Sequence, residues 1–259
     1  MSRAFTTARR RRAMVLATRF VSIAALIAVV EYLTRSGVIS SIVLPPPSKI
    51  AATAWSVAFT PQFADDVATT SVEIAVALGI ALSAGFVAGI FFWRLPLAGR
   101  IFEPFLAAIY SIPTMVFYPI LLVAMGVNRG PIIVLAATLA FVPVTLNTMV
   151  ALRSVPVELV KLSYSLNCSP LQRYRQVLLP AALPVIMSGA QISFVYCLIV
   201  TVAMEFLLAT AGLGHRVAFE YNSFRSAEQW AAILAVLVLS VAAVTALNAI
   251  TARVRRDMD

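Results

Sequence analysis

Charge is scarce in this chain: of 259 residues only 12% are Asp, Glu, Lys or Arg, against 61% hydrophobic ones. A soluble domain needs about twice that charged fraction, so a water-soluble globular fold is excluded. Histidine occurs once, as His215, and without nearby Cys or carboxylate ligands it makes a poor metal site. The two cysteines exclude a disulfide framework, since Cys168 falls in a polar loop and Cys197 inside an apolar run, where each serves as small apolar filler. The sequence also lacks a GxxxxGK[ST] phosphate loop, an HExxH helix and a GxSxG elbow, so no hydrolytic chemistry is encoded in its motifs. This chain is not read as an enzyme, and it is assigned no metal or cofactor of its own.

What is present is long apolar runs. A span of a bilayer needs roughly 20 predominantly apolar residues, and six such runs can be laid at 13–33, 71–93, 102–125, 132–152, 185–208 and 229–251. They are too long for barrel strands of about ten residues and lack strand alternation, so the expected fold is an all-α membrane protein of six transmembrane helices. The expected organisation is a basic segment at 1–12, one membrane domain at 13–252 containing a polar loop at 153–184, and a tail at 253–259.

The net charge of +9 is explained by topology. With the N-terminus inside, only Arg35, Lys49, Arg129, Arg216 and Arg225 fall outside, and the rest of the 20 Lys and Arg sit inside or at the inner boundary. The positive-inside rule then predicts cytoplasmic termini and an expectation of lipid, not nucleic acid, as the medium. The run at 13–33 exceeds a signal-peptide h-region of about 7–15 residues and is expected to stay as the first span. Asn167-Cys168-Ser169 matches a glycosylation sequon but lies on the cytoplasmic side in this topology.

Local signals refine this outline. Leu44-Pro45-Pro46-Pro47-Ser48 forces extended backbone before a weakly amphipathic segment at 49–59, expected at the outer interface. Asp65 and Asp66 are expected to cap the outer end of the second span, with Glu31 and Glu73 interfacial at the outer ends of the first and second. Pro104, Pro113 and Pro119 kink the third span, for packing or for gating. In the polar loop, Pro156, Glu158 and the Leu159, Leu162, Leu166 spacing predict one short amphipathic helix, and Ser169-Pro170 starts a second. Pro180 and Pro184 are expected to break that second helix and begin the fifth span, leaving an exposed turn near 167–170.

Polar stripes mark the spans. Ser188, Gln191, Thr201 and Glu205 fall within about 140° on the fifth helix. Ser111, Thr114 and Tyr118 do so on the third, and Thr138, Thr145 and Thr148 on the fourth. Two roles are open for the hydroxyls, helix packing or lining of a path. For Glu205 the choice is between a helix end paired with Arg216 or water and a position in the translocation path or an outer gate. The candidate path residues are therefore Ser111, Thr114, Tyr118, Gln191, Thr201 and Glu205.

Four stretches, in this order, carry a resemblance: Glu31-Tyr32-Leu33 with Leu44-Pro45-Pro46-Pro47-Ser48; Glu103-Pro104-Phe105 through Ile112-Pro113 to Gly126; the loop 155–184; and Glu205 followed by Gly212-Leu213-Gly214. Together they resemble the inner-membrane permease subunit of bacterial ATP-binding-cassette importers, in the branch that takes up nitrate, sulfonates and taurine. The resemblance implies a homodimer of permease subunits forming the path in the bacterial inner membrane. Two cytoplasmic ATPase subunits, which hold ATP and Mg, would dock below, and a periplasmic or lipid-anchored substrate-binding protein above. It places ATPase coupling on Ser165, Leu166, Asn167, Cys168, Ser169, Pro170 and Leu171. Small organic or inorganic anions are the leading class of substrate the resemblance implies, with vitamin precursors and other heterocycles as alternatives. Where the family signature begins Glu-Ala-Ala, this chain has Lys161-Leu162-Ser163, and where the family has Gly it has Asn167, one of the few other residues that accept a left-handed backbone. The Lys reverses a charge and implies a complementary acidic group on the ATPase. The competing readings are a secondary transporter or channel without an ATPase, and a membrane scaffold.

Overall fold

The computed structural model of the chain describes residues 2–256. The side chains of 1–13, 16, 110, 250 and 253–259 lie outside the description, and with them the expected basic segments 1–12 and 253–259. Among the described residues the chain is helical, with no strand. In order the helices are α1 (Ser2–Arg35), α2 (Pro47–Ala58), α3 (Pro61–Arg94), α4 (Pro96–Ser111), α5 (Tyr118–Met125), α6 (Gly130–Arg153), α7 (Val157–Ser165), α8 (Pro170–Arg173), α9 (Leu179–Leu208), α10 (Leu213–Asn222) and α11 (Ser226–Arg256). A 3₁₀ turn, Thr114–Phe117, precedes α5, and a π-helical turn, Tyr174–Leu178, joins α8 to α9.

Among the described residues, five helical segments are long and apolar enough to cross a membrane, and the number rises to six if one bent pair counts as a single span. That pair is the third expected span, 102–125, and of the kinks expected at its three prolines the break falls at Pro113. Ile112-Pro113 is extended, and the two halves bend by 81°. Pro113 cannot donate and forces its predecessor out of helical backbone, so the break falls at that dipeptide. Pro104 stays inside α4, and Pro119 sits in the first turn of α5, where its missing N–H costs nothing.

The chain divides into two compact units. The first comprises Met1–Thr60 and Val217–Leu234. Within it, Ser48 ties the start of α2 to the end of α1, its N–H and hydroxyl donating to the Glu31 carboxylate at 3.0 and 2.7 Å, while Arg35 Nε donates to the same carboxylate at 2.5 Å. Glu31 is thus a splice between helices. Trp230 Nε1 donates to the Val43 carbonyl at 3.0 Å, and Ser226 Oγ to that of Ile42, anchoring the first turns of α11 on the proline-rich segment.

The second unit, Pro61–Arg216 with Ala235–Asp259, holds the core. Its centre is α6, packed between α3 and α9. Lipid tails are as apolar as leucine, so helices in a membrane gain little by burying Leu against Leu and much by close approach through small residues. Helix α3 supplies them in one stripe, Ala77, Ala81, Gly85 and Gly89, four residues apart and buried. A Cβ on Gly89 would lie 2.8 Å from the Thr145 carbonyl oxygen and 2.5 Å from Thr148 Cβ, so only glycine permits the approach. On the other flank, Ser193 Oγ of α9 donates to the Ala140 carbonyl at 2.6 Å.

Candidate functional site

Two ends of the second unit carry the polar structure. At one end α6 stops at Arg153 and the loop expected at 153–184 begins. Helix α7 ends at Ser165, and Asn167 takes a left-handed φ of 52°. Its N–H donates to the Tyr164 carbonyl at 2.9 Å and that of Cys168 to Ser163 at 3.0 Å, a Schellman closure that satisfies the last carbonyls of α7. Directly after it, Ser169 caps α8: its N–H donates to Gln172 Oε1 at 2.8 Å, and the Gln172 N–H returns to Ser169 Oγ at 3.3 Å. Arg173 stacks its guanidinium on the Tyr164 ring, 3.5 Å from the centroid, and donates to the Cys168 carbonyl at 3.4 Å. The turn is therefore locked within itself.

The second loop helix does not end at Pro180 and Pro184 as expected. It runs through the π turn into α9, with Pro180 in the first turn of α9 and Pro184 inside it. One extra residue per turn loosens the i→i−4 ladder where proline would clash, so the helix continues instead of breaking. The turn is thereby helically continuous with a spanning helix. Underneath, Leu178, Ala182 and Ile186 pack with Ala151 and Leu152 of α6, and Trp93 and Tyr174 flank them. On the outside, Leu162, Tyr164, Leu166 and Leu171 are 54–67% exposed, beside exposed Lys161. All seven residues expected to couple, Ser165 to Leu171, lie on this surface or at its edge, with Cys168 half-buried.

At the opposite end, Glu205 is wholly buried. Thr70 Oγ1 lies 2.7 and 2.9 Å from its two oxygens, and the Gly214 N–H donates to Oε2 at 2.8 Å. The Leu213 N–H in turn donates to Thr70 Oγ1 at 2.9 Å. Gly212 has a φ of 103° and lies so close that a Cβ there would collide with the Glu205 carboxylate. Arg216, the partner weighed for Glu205, pairs instead with Asp66 at 2.7 Å, and the Gly212 N–H donates to the other Asp66 oxygen at 3.2 Å.

The helix boundary explains these pairings. Helix α3 begins at Pro61, ten residues before the apolar run, so Asp66 lies inside the helix and does not cap it. Glu73 is about three turns in and 1% exposed, buried among the helices. Its Oε1 is 4.0 Å from Arg129 Nε, no N–H or hydroxyl reaches its Oε2, and its carboxyl lies within hydrogen-bond reach of that of Glu205. Glu73, Tyr118 and Arg129 line a cavity of about 540 Å³.

The expected path residues do not converge. Tyr118 lines that cavity, and Thr114 is buried in the 3₁₀ turn. Ser111 is exposed and donates to the Ala107 carbonyl at 3.0 Å. Gln191 donates to Asn248 Oδ1 and Thr251 Oγ1 at 2.9 and 3.1 Å, whereas Thr201 is buried with its hydroxyl unpaired. Among the other hydroxyls, Thr138, Thr145 and Ser188 donate to carbonyls one turn back, as packing hydroxyls do. Of the residues gathered here, Thr70 is not singled out by the sequence, and Asp66, Glu73 and Arg129 enter it only as charges at helix ends or on the outer side. Asp66, Thr70 and Glu73 follow one another at spacings of four and three, and that stripe on the second span was the available signal.

A family described as "Binding-protein-dependent transport system inner membrane component" matches residues 81–259, more than half of the chain. A riboflavin transport system permease protein of Chloroflexus aurantiacus is 33% identical over 111 residues, 43% of this chain and 41% of that protein. A taurine transport system permease protein of Escherichia coli is 28% identical over 184 residues, 69% of this chain and 67% of the relative. The match thus spans about two fifths of the riboflavin relative and two thirds of the taurine one. The inward-facing MetNI methionine ABC transporter structure aligns with a TM-score of 0.59 at 20% identity, covering 83% of this chain and 99% of that one, a likeness of fold.

Proposed function

From the premise that the chain belongs to the binding-protein-dependent transport system inner membrane component family, we propose that it is the permease subunit of an ATP-driven importer. It forms the translocation path as a homodimer in the bacterial inner membrane, with both termini cytoplasmic. ATP and Mg are held by two separate ATPase subunits, and a periplasmic or lipid-anchored binding protein delivers the substrate, a small organic or inorganic anion.

The observation that carries this reading is the self-locked turn at 165–171, which presents exposed Leu166 beside exposed Leu171 of a helix continuous with a spanning helix. An exposed apolar patch on a rigid, capped turn is what a docking partner requires. Alternating access then has a simple mechanical basis. Closure of the ATPases displaces the turn, and α8, the π turn and α9 carry that displacement into the bundle. For ATP to drive the cycle, the ATPase must hold the turn more tightly in one permease conformation than in the other.

The test is ATP-dependent uptake by the chain reconstituted with its cognate ATPase and binding protein. Replacing Leu166 and Leu171 by Asp is expected to abolish both the complex and uptake while the permease remains folded. If uptake continues without an ATPase, the secondary transporter or channel reading replaces this one.

A further inference from the structure

Two carboxyl groups meet inside the helices at the Glu205 end. Glu205 and Glu73 are both buried, and their carboxyls lie within hydrogen-bond reach of each other. An ionised carboxylate only accepts hydrogen bonds, so two carboxyls this close in a site of low dielectric require a proton between them. The surrounding donors say which group carries it. Glu205 already receives the Thr70 hydroxyl and the Gly214 N–H, a setting for negative charge. Glu73 has no such support: no N–H or hydroxyl reaches its Oε2, and Arg129 Nε stops 4.0 Å from its Oε1, beyond hydrogen-bond reach. Arg129 instead turns Nη2 to Thr69 Oγ1 at 3.0 Å. A buried carboxyl that lacks donors and leaves a neighbouring guanidinium to another partner is placed as an acid, not as its anion.

We infer that Glu73 and Glu205 share one proton, carried on Glu73 and donated to Glu205, and that this proton latches α3 to the corner where α9 leads into α10. When it leaves, Glu73 becomes a second carboxylate, the pair passes from one negative charge to two, and the contact between α3 and α9 turns from a hydrogen bond into a repulsion. The proton has a route, because Glu73 lines the cavity of about 540 Å³ with Tyr118, Asn128 and Thr210 and can pass it to water there. The neighbouring charges shape the response. Asp66, about two turns before Glu73 on α3, adds negative charge beside Glu205, and Arg216 of α10 pairs with it at 2.7 Å. Arg129, ahead of α6, is the cation beside Glu73 and can swing onto it once the proton has gone, and Tyr118 of α5 lies near the same carboxyl. Helix α9 contributes no charge but Glu205, α6 none but Arg153 at its far end, and His215 follows Gly214 on α10. The latch belongs to the chain itself and needs no ATPase, so it goes beyond the transport reading.

The experiment is infrared spectroscopy of the full chain in lipid nanodiscs, joined to amide hydrogen exchange. At neutral pH the folded protein is expected to show the C=O band of a protonated carboxyl, lost in Glu73→Gln and kept in Glu103→Gln, which alters an exposed carboxyl. Thr70→Val removes a competing donor to Glu205 and should shift the band, so the assignment to this pair is decided even where Glu73→Gln does not fold. Transfer to D2O should also shift it, and Thr210→Trp, at an exposed position on the cavity rim, should slow that shift without changing the melting temperature. Raising the pH until the band disappears should lower the protection factors at 205–216, corrected for intrinsic exchange, by about 10-fold or more. The loss should be absent in Glu73→Gln, whose amide still donates to Glu205 and has no proton to release, and present in His215→Gln. No protonated-carboxyl band in folded wild-type protein, a band that Glu73→Gln or Thr70→Val leaves unmoved, a band that persists until the protein unfolds, or an equal loss of protection in Glu73→Gln would overturn the inference.

Discussion

The two ends of the second unit solve the same problem, an irregular stretch of backbone beside apolar helices, in opposite ways. At 165–173 every partner lies within a few residues: Asn167 with Tyr164, Cys168 with Ser163, Ser169 with Gln172, Arg173 with Tyr164. At 205–216, beside the local bond from Gly214 to Glu205, the bonds reach a distant helix: Glu205 and Leu213 with Thr70, Gly212 and Arg216 with Asp66. The first end is rigid but open, its leucines facing outward. The second is closed, with a carboxylate at its centre. A locally satisfied turn can be gripped and moved without tearing the bundle, whereas a turn stitched to α3 moves only with α3. That difference suits one end to receive force and the other to hold the helices in register.

The largest expected effect breaks the closed end. Gly212→Ala adds a Cβ against Glu205 at a φ of 103°, so it should cost upward of about 3 kcal/mol and lower the yield of folded protein. Gly79→Ala, with open space around it, is the control and should be neutral or slightly stabilising, both measured by thermal unfolding in detergent. Next, Thr70→Val removes a hydroxyl that serves Glu205 and Leu213 together, and about 1–3 kcal/mol should be lost.

The open end should respond less. Asn167→Val puts a β-branched residue at a φ of 52° and is expected to cost about 1–2 kcal/mol, whereas Asn167→Gly should leave stability within a few tenths of a kcal/mol, again read by thermal unfolding. The smallest effect is Ser169→Ala, about 1 kcal/mol of local capping. It should appear as faster amide exchange at 169–173, with the global melting temperature unchanged. If Ser169→Ala proved as damaging as Gly212→Ala, the contrast between the two ends would fail.

The same contrast explains what could be read in the sequence. The open end was legible because its signals are short-range: Asn at the position needing positive φ, Ser-Pro with Gln three residues on, leucines at helical spacing. Six apolar runs likewise gave the helical membrane fold. The closed end was illegible in its pairings, since nothing near Glu205 in the chain names Thr70, and Arg216 was the nearer partner in sequence. Part of it could have been recovered: Asp66, Thr70 and Glu73 form a stripe on α3, and Ala77, Ala81, Gly85 and Gly89 continue it as small residues. The break at Ile112-Pro113 and the continuity through Pro180 show the other limit. Proline marks where a helix is stressed, and the surrounding packing decides between a bend of 81° and a π turn.

The division of labour between the ends is tested most directly by hydrogen exchange on the chain with and without the proposed ATPase subunit bound. Slowed exchange at 162–171, with 205–216 unchanged on first docking, is the predicted result. Exchange at 162–171 that does not slow when the ATPase is demonstrably bound would contradict the account.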